Sequence, residues 1–74
     1  MDLYQRQRQS IIKISNYFKK TLGKIPVSLD YLKWEFGNKE AIPTKFVVSA
    51  VEKILEFDLQ NKFKLFEGEI IENE

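Results

Sequence analysis

In residues 62–72, Lys-Phe-Lys-Leu-Phe-Glu-Gly-Glu-Ile-Ile-Glu, charged and apolar side chains alternate around a single glycine. Lys62 and Lys64 stand on one side of it, and Glu67, Glu69 and Glu72 flank and follow it. Ammonium groups at this spacing attract phosphates or carboxylates. The glutamates attract basic partners, or a hard cation if they converge. Alternation with isoleucine spreads them apart, so charge and solubility at an edge strand explain them better than a cation site. The chain has no histidine and no cysteine, which removes the common zinc ligands, the thiolate nucleophile and the commonest general base at neutral pH. No glycine-rich phosphate loop is present. The expectation is therefore a non-enzymatic protein with no cofactor and no small-molecule substrate.

The remaining charge is unevenly distributed. Residues 1–25 carry six Lys/Arg and one Asp, residues 26–50 three of each sign, and residues 51–74 three Lys and seven acids. The net charge is only +1, so the chain is an electrical dipole along its sequence rather than a basic protein. Apolar residues make up 43% of it, which is globular and not disordered. With 74 residues, one domain covering 1–74 is expected, with residues 1–4 and 72–74 frayed. The polar start, MDLYQRQRQS, lacks the apolar stretch of a secretory signal, and no apolar run approaches a membrane span. A cytoplasmic setting is expected, or a nuclear one in a eukaryote, with no membrane partner.

Periodicity supplies the elements that position these residues. Ile11, Ile14, Phe18 and Leu22 recur at helical spacing and predict a first helix over about 4–22, with Tyr4 and Tyr17 at the edges of the stripe. Gly23 and Gly37 read as residues that end helices, and Ser28 as the N-cap of a second helix with Leu29, Leu32 and Phe36 inward. Pro43 opens a third helix over about 43–58, with Val47, Val51, Ile54 and Phe57 or Asp58 along its inner line. Thr44, Lys45, Ser49, Glu52, Lys53 and Glu56 are left for its outside. The period then changes to two, and Glu67-Gly68 reads as a hairpin turn. Because a lone hairpin is marginal in water, "KIPV" (24–27) is the expected third strand. The fold class is α+β: three helices, a short strand after the first, and a C-terminal two-stranded hairpin.

The segments "IIKISNYFKKTLG", "KIPVSLDYLKWEFG", "IPTKFVVSAVEKILEF" and "KFKLFEGEIIE" carry this element order over nearly the whole chain. In that order the chain resembles the winged-helix superfamily. Its third helix and "KF" strand give a narrower likeness to the protein-binding winged helices of ESCRT-II and PCI-domain proteins. The likeness rests on element order and apolar pattern, with no signature motif. It implies a binding module and leaves the partner open.

Two partner classes compete. The resemblance implies that a DNA-binding winged helix would use its third helix and wing, and DNA work wants basic and amide side chains there. The residues available are Thr44, Lys45, Ser49, Lys53, Lys62 and Lys64, joined by Arg6, Arg8, Lys13 and Lys20 of the first helix. Glu52, Glu56, Glu67 and Glu69 among them oppose phosphate binding. For a protein partner, or self-association, the candidates are Trp34, Phe66, Glu67, Glu69 and Ile70. Most aromatics, including Phe18, Phe36, Phe46, Phe57 and Phe63, are expected in the core, while Tyr31 and Trp34 cannot both be buried on one short helix. Protein–protein interaction is the favoured function, and DNA-binding regulation is the alternative.

Overall fold

The computed structural model of the protein describes residues 3–73, with side chains from Gln5 onward. The expected fraying of residues 1, 2 and 74, and the flanking role of the Tyr4 side chain, lie outside the described residues. Three helices, α1 (Leu3–Thr21), α2 (Leu29–Lys39) and α3 (Thr44–Lys53), precede an antiparallel hairpin of β1 (Phe63–Phe66) and β2 (Glu69–Glu72). This is the α+β order of elements that the periodicity predicts, and it is consistent with a winged-helix-like architecture.

α1 buries Ile14 and Phe18 and rests Ile11 and Tyr17 against the same core, joined by Leu22 just past its end. Ser10 is buried too, and its hydroxyl is satisfied by the Arg6 carbonyl one turn back at 2.9 Å. Gly23 leaves the helix with φ +82, a conformation glycine adopts without a Cβ penalty. Ser28 caps α2 as expected, its Oγ accepting from the Tyr31 N–H at 3.1 Å.

Gly37 does not end α2, which runs through it to Lys39. A Cβ at Gly37 would meet only the Ile42 carbonyl, at 3.8 Å, so neither space nor conformation demands glycine there. The reversal falls to Ala41, at φ +56, and the Ile42 N–H returns to the Phe36 carbonyl at 3.0 Å. Pro43 then stands at the cap of α3, and its carbonyl accepts from Phe46 and Val47. α3 is the centre of the core: Phe46, Val47, Ala50 and Val51 are buried, and both α1 and α2 pack on it.

The expected third helix does not continue in one register to residue 58. Ile54–Asp58 forms a single π turn, closed by the Leu59 N–H on the Ile54 carbonyl at 2.9 Å. The wider turn moves the next inward position from 57 or 58 to Leu59. Phe57, expected in the core, is consequently 68% exposed.

The hairpin turns on Glu67 (φ +50) and Gly68 (φ +81), both left-handed as a tight two-residue turn requires. The register pairs Phe63 with Glu72, Lys64 with Ile71, Leu65 with Ile70 and Phe66 with Glu69. The expected third strand shrinks to one bridge, Ser28 to Glu69. Two bonds hold it: Leu29 N–H to the Gly68 carbonyl (2.8 Å) and Ile70 N–H to the Val27 carbonyl (2.9 Å). Pro26 has no N–H to extend the ladder, and Ser28 already turns into α2. The C-terminal end is tied to the start of β1. Glu72 ends β2, and Asn73 donates from its backbone to Lys62 (2.8 Å) and from its side chain to Asn61 (3.0 Å).

Candidate interaction surfaces

On α2, residues three apart share a face, and this places Tyr31 and Trp34 together on the outside. Both are exposed, Tyr31 at 43% and Trp34 at 54%, so the second helix displays two large aromatics where at least one was expected. They are held in place. Tyr31 stacks on Tyr17 of α1 (centroids 6.1 Å apart, planes 29°), and Tyr17 meets the buried Phe36 edge-on at 6.0 Å. Trp34 adjoins Tyr31 at 6.0 Å, and the Lys39 ammonium lies 5.7 Å from its ring centre. A continuous ladder of rings thus runs from the core to the surface. Tyr17, which the apolar stripe assigned only to an edge, is its central rung.

The Tyr31 hydroxyl donates to Glu35 at 2.8 Å, and Lys39 approaches the other oxygen of that carboxylate at 3.2 Å. Donation from Tyr31, then from Lys39, holds the Glu35 carboxyl below its ordinary pKa. The same bond to Glu35 raises the Tyr31 phenol above its own.

The hairpin has two faces. Cross-strand partners share a face, so Phe63, Leu65, Ile70 and Glu72 form one and Lys64, Phe66, Glu69 and Ile71 the other. Ile70 is 7% exposed and Phe63 packs on the core, so the first face points inward. The expectation that Ile70 offers an exposed contact is therefore wrong. Its N–H is bound to Val27 and its side chain lies in the core. Phe66 (54% exposed) and Ile71 are apolar residues of the outer face, with the Lys64 ammonium 5.7 Å from the Phe66 ring centre. Glu67 and Glu69 are exposed beside them.

The candidate phosphate-binding residues are dispersed. Ser49 is half-buried and accepts a bond from Gln7 of α1 at 3.2 Å, which takes it off the outermost face of α3. Lys45, Glu52 and Glu56 remain outward, with Thr44 exposed at the helix start. Arg6 reaches the Ala41 carbonyl at 3.5 Å, and Lys13 forms an ion pair with Glu40, so both brace the α2–α3 turn. Arg8 and Lys53 line one shallow cleft between α1 and α3. Lys20 lines another that also holds Glu35 and Glu40. Lys62 and Lys64 are exposed on the hairpin.

Among the described residues no group of three or more acidic, histidine or cysteine side chains could hold a metal ion. No helix of the described residues is long and apolar enough to cross a membrane. An apolar groove of about 520 Å³, which no sequence pattern marks, opens between α1, the π turn and β1. Phe18, Leu22, Ile54, Leu59 and Phe63 form its apolar lining, with Ser15, Lys19 and Asp58 beside them.

In comparisons with known proteins, the chain matches no family model, no curated protein and no solved structure.

Proposed function

We propose that this protein is a non-catalytic winged-helix interaction module whose partner is another protein. The observation that carries this reading is the exposed Tyr31–Trp34 surface, braced from below by Tyr17 and Phe36. Tryptophan and tyrosine are the residues on which protein interfaces most often depend, and rigid ones lose little entropy on binding. Phe66 and Ile71 on the outer hairpin face add a second apolar contact. Against duplex DNA, Glu52 of α3 and Glu56 of the π turn stand exposed among Lys45 and Lys53, while Arg6 and Lys13 of α1 engage the α2–α3 turn and Arg8 lines a different cleft.

Quantitative crosslinking in cells, comparing the wild-type chain with Trp34→Ala and with Arg8→Ala/Lys53→Ala, tests the reading. Trp34→Ala, folded by circular dichroism, is expected to lose the crosslinked protein while the basic-residue variant keeps it. Loss with the basic variant alone, or crosslinks to nucleic acid that Trp34→Ala leaves intact, would contradict it.

A further inference from the structure

Among the described residues, nothing hydrogen-bonds to one edge of the hairpin. In an antiparallel ladder hydrogen-bonded and non-hydrogen-bonded pairs alternate. The Asn73 N–H bonded to the Lys62 carbonyl sets the phase. Pairs 62–73, 64–71 and 66–69 therefore exchange hydrogen bonds, and the main-chain groups of Phe63 and Leu65 point away from β2. On the far side of β2, by contrast, Ile70 N–H is taken by Val27. The open edge is β1.

Three features lie near the Phe63 end of that edge. The apolar groove meets the hairpin through β1 alone: Phe63 is the one strand residue among its lining, facing Phe18, Leu22 and Leu59. Lys62 and Lys64, on the opposite face from Phe63 and Leu65, have no carboxylate partner among the described residues. Lys19 lines the groove, while its one carboxylate, Asp58, accepts a bond from Ser15 at 3.2 Å.

We infer that β1 accepts an extended, acidic–apolar alternating segment of a partner protein as an added strand. Phe63 and Leu65 supply the main-chain bonds. Apolar residues of the guest enter the groove, and its carboxylates meet Lys62 and Lys64 on the outer face. A guest strand lies about 4.8 Å from β1 and about twice that from Glu69 and Glu72 on β2, so the lysines dominate its field. A second copy of β1 would set lysines against lysines, which disfavours self-pairing. A phosphate backbone would use neither the open amides nor the groove. The inference rests on the protein-binding reading but uses a surface separate from Trp34.

The test is an amide-shift and hydrogen-exchange titration of the labelled full chain. The probe is a blocked peptide of alternating glutamate and valine, roughly eight residues long. Controls are the same peptide with lysine for glutamate, and one with alternate backbone nitrogens methylated. Shifts at Leu59 and Phe63–Phe66 are expected, with slowed exchange at Leu65 and no binding of either control. Lys62→Glu/Lys64→Glu, which breaks no salt bridge of the fold and removes only the exposed Lys64–Phe66 ring contact, should weaken binding by about tenfold or more. Leu65→Pro should abolish binding, because it removes an outward N–H that the guest needs at an edge position where proline is tolerated. The inference fails if the peptide leaves Phe63 and Leu65 unmoved at millimolar concentration, if the methylated or lysine peptide binds equally well, or if only a DNA duplex shifts these amides. Such a failure leaves the Trp34 test standing. Peptide binding at β1 with no effect of Trp34→Ala in cells would instead remove the α2 surface from the functional reading.

Discussion

Ala41 and Glu67 sit in left-handed backbone that their side chains disfavour, at φ +56 and +50. Ala41→Gly should stabilise the fold by roughly 0.5–1 kcal/mol, because relief of the strain exceeds the extra freedom of glycine in the unfolded chain. Glu67→Asn should favour the hairpin in the same direction, since Asn-Gly suits this turn. Urea titration reads both. The Tyr31–Glu35 bond makes a further prediction at this scale. Tyr31→Phe should let the Glu35 carboxyl titrate closer to its ordinary range, as followed by its side-chain carbon shift. Because the folded pKa of Glu35 is depressed, its contribution to stability is present above the unfolded value and fades as pH falls through the folded one. Tyr31 is the opposite case. Its contribution is complete below the ordinary phenol pKa and is lost as pH rises through the raised one.

Among the elements, the hairpin offers the sharpest contrast. Ile70→Ala should cost about 2–4 kcal/mol, since a buried core side chain is removed. Phe66→Ala and Phe57→Ser should each change stability by no more than about 0.5 kcal/mol, because both rings are largely in water. Local chemistry made part of this legible in the sequence. Ser28 acts through its own side chain and Gly23 and the Glu67-Gly68 turn through their own backbone, and each stands where its residue type indicates. Gly37 misled because a helix tolerates glycine at modest cost, and the reversal was made by an alanine with no turn signature. Ile70 and Ile71 are neighbours of one type, so alternation alone could not say which faces inward. The bond from Ile70 to Val27, distant in sequence, decides it. The π turn that expels Phe57 likewise follows no local pattern.

Across the whole molecule, charge separated along the sequence does not become a single basic face. Arg6 and Lys13 brace the α2–α3 turn, while Arg8 and Lys53 share a different cleft. What the fold does concentrate is aromatic surface on α2 and an open strand edge on β1. The most direct measurement is an amide-shift titration of the labelled chain with a mixed-sequence DNA duplex of about two helical turns, at low and near-physiological salt. A protein-binding module predicts no shifts, or only salt-sensitive ones around Arg6 to Lys20. Shifts across residues 44–53 and 62–64 that persist at the higher salt would contradict it and make α3 and the hairpin a DNA-reading surface.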